Sequence, residues 1–312
     1  MRKLALVFPG QGAQYVGMGK DFYERFPEAR RVYEMASRVT GLDLPKICFE
    51  ENEQIHKTEY TQIAMLATEL AMFYVWKEKG READIYAGLS LGEYGAIVAA
   101  GALSMEDAFR IVRKRGILMQ EAVPSKGAMY AILGVNGETA EAVCAETEGI
   151  VDVANYNCPG QIVITGEETA VQAAAEKMKK AGAKRVLPLK VSGPFHSILL
   201  KEAGAQLGTY LESVSMQPLK QPYLTNVTAD YVTDHTQIKG LLSKQIYAPV
   251  RWEQSVERMI ADGVDTFIEI GPGRTLTGFL KKIDRKVTGW KIETVEDLDQ
   301  VCEKLNIEEE KE

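Results

Sequence analysis

Residues 88 to 92 read Gly88-Leu89-Ser90-Leu91-Gly92, a G-x-S-x-G pattern between the strand-like run Asp84-Ile85-Tyr86-Ala87 and the helix-like run Glu93 to Ala100. That is the expected setting of a serine nucleophile. The chain turns so sharply from strand to helix that the residues flanking the serine must lack side chains, which leaves Oγ exposed above the sheet. The free N–H groups and positive dipole end of the following helix then face the oxygen of an attacked carbonyl. Such a serine needs a base, and the three histidines can be taken in turn. His56 sits among Glu53, Gln54, Lys57 and Glu59, and His235 within Thr233-Asp234-His235-Thr236-Gln237, both solvated settings. His196, in Ser192-Gly193-Pro194-Phe195-His196-Ser197, falls at a hinge between differently patterned regions, where a cleft is expected. A packed or capping histidine is the alternative, but with Ser90 demanding a base His196 is the candidate. No single Asp or Glu is nominated to orient its ring.

A cation stands close to this chemistry in pattern. Ser104, with Asp107 as capping-box partner, opens a helix through about Glu121, and on it Arg115 is bracketed at helical spacing by Ile111, Val112, Leu118 and Met119. A guanidinium on an apolar stripe must find an anion, either a core carboxylate or a substrate carboxylate held bidentately. The glycine-rich start, Phe8 to Gly19, fails both nucleotide templates: a dinucleotide fingerprint from Gly10 meets Tyr15 where glycine is required, and a P-loop from Gly12 meets Met18 where lysine is required. Gln11 between two glycines remains, as part of an oxyanion site or of a structural turn.

These residues need a scaffold, and the pattern supplies one. Leu4 to Phe8 reads as a first strand rather than a signal-peptide core, because the apolar run stops at Pro9-Gly10. From Met129 the order is strand to Val135, helix Glu138 to Glu148, strands Val151 to Asn157 and Gln161 to Glu167 across a Cys158-Pro159-Gly160 turn, helix Thr169 to Gly182, and strand Arg185 to Ser192. That β-α-β-β-α-β order is ferredoxin-like. Its limits at Ser125-Lys126-Gly127 and Gly193-Pro194 mark an insertion, a small domain of residues 125–193 within a discontinuous large α/β domain of residues 1–124 and 194–312. Asp265 to Ile270 running into Gly271-Pro272-Gly273 returns the chain to the large domain, and the acidic tail Glu308 to Glu312 is expected to fray.

Composition bounds the function. With 312 residues, 46% of them hydrophobic, the chain can bury a core without disulfides or metals, and no apolar run approaches the roughly 20 residues of a membrane span. Cys48, Cys144, Cys158 and Cys302 are scattered without a CxxC pair, which argues against zinc and against a disulfide framework and points to the cytoplasm. The formal charge of -7 does not suggest nucleic-acid binding. Local cations at Lys281-Lys282, Arg285-Lys286 and Arg113-Lys114-Arg115 can meet an anionic partner or simply form solvated faces.

Taken in order, Phe8-Pro9-Gly10-Gln11-Gly12, Gly88-Leu89-Ser90-Leu91-Gly92-Glu93-Tyr94, Arg115, Gly193-Pro194-Phe195-His196-Ser197, Gln245-Ile246-Tyr247-Ala248-Pro249-Val250-Arg251-Trp252 and Glu269-Ile270-Gly271-Pro272-Gly273 resemble the malonyl-CoA:acyl carrier protein transacylases. The resemblance covers nearly the whole chain. It implies a hydrolase-like α/β domain with a ferredoxin-like insertion, a Ser90 acyl-enzyme formed from malonyl-CoA and discharged to the phosphopantetheine thiol of acyl carrier protein, and no cofactor of the enzyme's own. It further implies that His196 acts as base and acid with its ring oriented by the backbone carbonyl of Gln245. The N–H groups of Gln11 and Leu91 would form the oxyanion hole, Arg115 would grip the malonyl carboxylate, and Phe195 and Met119 would border the acyl group. The aromatic Phe195 implies malonyl over methylmalonyl. Leu89 departs from the family's usual histidine before the nucleophile, which bears on selectivity and rate. Acyl carrier proteins are acidic, so Lys281, Lys282, Arg285 and Lys286 are the candidate docking patch. A serine esterase or thioesterase, and a carrier-protein docking module without activity, are the alternative readings. Fatty acid synthesis and polyketide synthesis in trans would use the same residues.

Overall fold

The structure, a computed structural model, describes residues 2–122, 127–191 and 193–309. The limits expected at Ser125, Lys126 and Ser192, and the tail residues Glu310 to Glu312, lie outside the described residues. The strands in chain order are β1 Leu4–Phe8, β2 Ile85–Gly88, β3 Gly127–Leu133, β4 Val151–Cys158, β5 Gln161–Glu167, β6 Arg185–Pro188, β7 Tyr223–Leu224, β8 Tyr231–Val232, β9 Val250–Arg251, β10 Thr266–Ile270 and β11 Thr288–Ile292.

Six of them form one sheet in the order β11-β10-β1-β2-β7-β8, parallel throughout except where β8 runs antiparallel to β7. Every residue of β1, β2 and β10 is buried, as a parallel sheet covered on both faces requires. On one face the helix Thr58–Glu78 is apolar nearly all round, from Ile63 to Trp76, and is buried accordingly. On the other, Trp252, Val256 and Met259 pack with Phe267 and Leu280. The pairing Phe8↔Gly88 sets the ends of β1 and β2 side by side. The glycine-rich start and the serine elbow, some eighty residues apart in the chain, therefore meet at the carboxyl edge of the sheet, where open α/β sheets bind ligands.

The second sheet has the order β6-β3-β5-β4-β9, and its first four strands are antiparallel neighbours with the helices Gly137–Ala145 and Glu168–Lys180 between them in sequence. This is the ferredoxin-like arrangement expected from the periodicity. Ile132, Val153, Ile162 and Ile164 bury one face against Val143, Val171, Ala174 and Met178 of the two helices. Several element ends shift by a few residues, and two further details differ from the sequence reading. The last strand stops at Pro188 instead of reaching Ser192, because it is a largely exposed edge with little to bury and proline cannot donate to a ladder. The fifth strand, β9, comes from beyond the insertion and pairs parallel to β4, tying the small sheet to the segment that carries Gln245. The four cysteines make no disulfides, and among the described residues no helix is long and apolar enough to cross a membrane.

Candidate active site

The elbow is built by close packing. A Cβ on Gly92 would stand 2.2 Å from the Phe8 carbonyl oxygen, and one on Gly88 would stand 2.0 Å from the Gly92 carbonyl carbon, so neither glycine can be replaced without moving backbone. Ser90 between them has φ 52, a left-handed conformation that costs a non-glycine residue about 1–3 kcal/mol. Asn226 holds this turn from both sides: its Oδ1 accepts the Ser90 N–H at 2.6 Å and its Nδ2 donates to the Gly88 carbonyl at 2.7 Å. Sequence reasoning passed over Asn226. Its only signal was a polar Thr225-Asn226 step directly after the apolar pair Tyr223-Leu224.

His196 is also left-handed, with φ 61, and its Nε2 lies 2.8 Å from Ser90 Oγ. Nδ1 faces two carbonyl oxygens, of Gln245 at 2.8 Å and Ala248 at 3.2 Å. Carbonyls only accept, so the ring proton sits on Nδ1 and the Nε2 lone pair receives the serine hydroxyl. The partners of Nδ1 are therefore backbone, and among the described residues no carboxylate contacts the ring. Burial, then the nearby charge of Arg115, lowers the His196 pKa to about 4, against the opposing pull of the two carbonyls.

Arg115 is 1% exposed. Its Nη2 donates to Ser90 Oγ at 3.1 Å and to Gln245 Oε1 at 3.0 Å, and its guanidinium lies 5.4 Å from the centre of the Tyr94 ring. Nε has no hydrogen-bond partner, and among the described residues no carboxylate pairs with the guanidinium directly. The choice left open above, between a core salt bridge and an external anion, falls against the salt bridge. Burying an ion without a direct partner costs several kcal/mol, which an anion beside Ser90 would offset.

A cavity of about 240 Å³ opens over Ser90, walled by Leu89, Arg115, Met119 and Phe195 and closed from the small sheet by Asn155 and Val163. The helix Thr275–Ile283 contributes Phe279. Leu89 also packs on the glycine-rich loop, where a Cβ on Gly10 would come 2.8 Å from its Cδ2. Gln11 lines the cavity and Leu91 is the N-cap of the helix Gly92–Ala99. Among the described residues neither backbone N–H has an acceptor, so both are free to meet an oxyanion. The side chain of Gln11 is engaged elsewhere, donating to Thr58 Oγ1 at 3.1 Å. Asn155 and Gln62, also on the wall, gave no sequence signal beyond their polarity.

The basic clusters separate. Arg113 pairs with Glu59 at 2.9 Å and is not available to a partner, whereas Lys281, Lys282, Arg285 and Lys286 are exposed at the end of the helix whose first turn reaches the cavity. Lys282 bridges to Gln161 of the small sheet at 3.0 Å. His56 is exposed and His235 partly so, both far from the serine in character.

A serine at a strained strand-to-helix turn, a neutral imidazole on its oxygen and free N–H groups beside it are the parts that acyl transfer through a serine requires. Comparison with known proteins agrees. Residues 5–297 match the acyl transferase domain, and the chain belongs to that family. The malonyl CoA-acyl carrier protein transacylase of Bacillus subtilis strain 168 is 47% identical over 292 residues, 92% of each chain. The crystal structure of the malonyl CoA-acyl carrier protein transacylase from Clostridium perfringens superimposes with a TM-score of 0.95 at 41% identity, covering 98% of both chains. A malonyl-transacylase solved in complex with its type II PKS acyl-carrier protein gives a TM-score of 0.94 at 41% identity, over 97% of this chain and 99% of that one.

The His196 environment yields a pH prediction. Only the neutral ring accepts the serine proton, and with a pKa of about 4 it stays neutral well below the usual 6.5. Labelling of Ser90 by a neutral sulfonyl fluoride should therefore persist at pH 6 and fall only toward pH 4. Arg115→Ala removes one cause of the lowering and should move that fall to higher pH. An acid limb at pH 6.5 in the unaltered chain would contradict the assignment.

Proposed function

We propose that the chain is a malonyl-CoA:acyl carrier protein transacylase. The observation that carries this reading is the buried guanidinium of Arg115, without a direct carboxylate partner, 3.1 Å from the reacting oxygen. The names of its relatives support it. In the first half-reaction Ser90 Oγ attacks the thioester carbonyl as its proton passes to His196 Nε2. The oxyanion lies against the N–H groups of Gln11 and Leu91, the C–S bond breaks, and His196 returns the proton to the departing coenzyme A sulfur. In the second, the carrier's phosphopantetheine thiol gives its proton to His196 and attacks the Ser90 ester, and Ser90 recovers the proton as the C–O bond breaks. The malonyl carboxylate sits on Arg115 throughout. By offsetting that charge it also removes one of the two causes that depress His196, so the proper substrate makes its own base stronger. An acetyl group leaves the cation unmatched, a larger penalty than the about 1–3 kcal/mol that a methyl-sized difference supplies. The large discontinuous domain supplies the reacting residues and the inserted domain closes the acyl cavity. Fatty acid synthesis is the pathway that the relatives' activity supports.

Intact-protein mass spectrometry tests the reaction. Malonyl-CoA should add one malonyl group to the chain, absent in Ser90→Ala, and holo acyl carrier protein should remove it; Arg115→Ala should lose the preference over acetyl-CoA. Discharge to water alone would favour a hydrolase, and carrier binding without any adduct would favour a docking module.

Phe195 is 6% exposed on the cavity wall, and its ring there supports the reading that it excludes the extra methyl of a methylmalonyl group. Phe195→Ser should raise methylmalonyl over malonyl turnover by about tenfold, on the scale of one methyl group. An unchanged ratio of kcat/KM values would remove Phe195 from extender choice.

For the carrier protein we assign docking to Lys281, Lys282, Arg285 and Lys286. Their exposure and the reach of their helix to the cavity support this, in a chain whose overall charge of -7 would otherwise repel an acidic partner. Reversing Lys281, Arg285 and Lys286 to glutamate should slow discharge to the carrier and flatten its salt dependence while sparing acylation by malonyl-CoA. A salt-insensitive discharge rate in the unaltered chain would reject the patch.

A further inference from the structure

Glu93 follows the elbow in sequence and is 0% exposed. It touches neither Ser90 nor His196. Its Oε2 accepts the side-chain N–H of Gln245 at 2.7 Å and the backbone N–H of Asn226 at 3.1 Å. Each of those partners holds the reacting groups directly. The Gln245 amide donates from the same Nε2 to the Ser90 carbonyl at 2.8 Å, turns its Oε1 to Arg115, and places its backbone carbonyl on His196. Asn226 grips Ser90 N–H and the Gly88 carbonyl.

An amide can sit either way round. Here the Glu93 carboxylate oxygen and the Ser90 carbonyl, both acceptors on Nε2, together leave only one orientation, with the amide oxygen facing the guanidinium. The chain of contacts from Arg115 through the Gln245 amide to Glu93 thus joins a buried cation to a buried anion without letting them touch. That separation has a purpose: a direct salt bridge would fill the position that a substrate carboxylate needs. Arg115 is the cation facing Glu93, and Tyr94 and Tyr223 supply the other titratable groups around it.

Resting on the transacylase reading, we propose that Glu93 is a positioning residue for the transfer reaction, a remote counter-charge that locks the Gln245 amide and Asn226 and sets how strongly Arg115 attracts an acyl carboxylate. Burial pushes its carboxyl up to about 7, so the anion is present at pH 8, where the test is run.

Two variants separate charge from reach. Glu93→Gln keeps an oxygen acceptor and deletes the charge. Its KM for malonyl-CoA should fall about threefold to tenfold, as expected for an uncompensated guanidinium in a medium of low effective dielectric, with KM for acetyl-CoA unmoved. Glu93→Asp keeps the charge but is one methylene short, and should lower kcat with both thioesters about tenfold to a hundredfold through misplacement of the serine and its base, leaving the malonyl to acetyl ratio of KM values as it was. A role in folding alone would change both thioesters in parallel in both variants, and that outcome, or an unchanged KM in Glu93→Gln, overturns the proposal. If the unaltered chain accepts neither thioester, the transacylase reading fails by itself. Labelling of Ser90 by a neutral sulfonyl fluoride then decides on positioning: slower in Glu93→Asp at an unchanged Tm supports it, and an equal rate overturns it.

Discussion

A guanidinium held in the interior, against the oxygen of a serine, is the constraint around which the rest of this structure is arranged. Taking Arg115 out of water costs several kcal/mol, and the protein recovers only part of that through Gln245, Ser90 and the face of Tyr94. The apolar stripe of the helix Met105–Glu121 supplies the burial, with Ile111, Val112 and Leu118 packed in the main core on either side of the cation. Because the cost is left incompletely offset inside the protein, an anion arriving from outside would offset the remainder. That leaves the guanidinium available to an anion beside Ser90, and after burial it is the second cause that holds the neighbouring imidazole neutral.

The imidazole and the serine are held in unfavourable backbone conformations, and the packing around them explains why these persist. Ser90 stays left-handed because Gly92 lies against the Phe8 carbonyl and Asn226 clasps both sides of the turn. His196 stays left-handed while its backbone N–H donates to the Ile246 carbonyl and its ring to those of Gln245 and Ala248. Two strained residues from distant segments are thereby pinned to one short stretch, 245–248, and that stretch leads straight into β9 on the edge of the small sheet. The insertion is consequently more than a cover: its sheet carries the strand that follows the histidine's acceptors.

How much of this could be read from the chain alone divides along physical lines. Local patterns were legible. The elbow glycines, the Ser104 cap, the apolar setting of Arg115 and the β-α-β-β-α-β periodicity depend on near neighbours in sequence, and the structure places them as expected. Long-range pairings were not. Asn226 lies 136 residues from the N–H it accepts, and Gln245 lies 152 residues from Glu93. β9 pairs through two residues only, too few to show a period. The role of the Gln245 backbone as the histidine's acceptor came from family resemblance, since a carbonyl is common to every residue and leaves no mark in composition. Glu93 left a trace, as the single charge in the otherwise apolar run from Gly92 to Ala100, and the trace went unused.

That lone glutamate shows why a buried polar network is expensive to build and hard to replace. Removing any one member strands the others: without the Gln245 amide, Arg115 and Glu93 lose their common bridge and Ser90 loses a carbonyl partner. A hydrophobic substitute of equal volume could fill the space and hold the fold, because the core around it is already dense with Leu91, Tyr94 and Tyr223. It could not aim an amide, compensate a cation from a distance or hold the two N–H and carbonyl contacts of the elbow. The reaction geometry therefore accounts for the network better than stability does, and Glu93, in the first turn of the helix that follows Ser90, stands where such a demand arises.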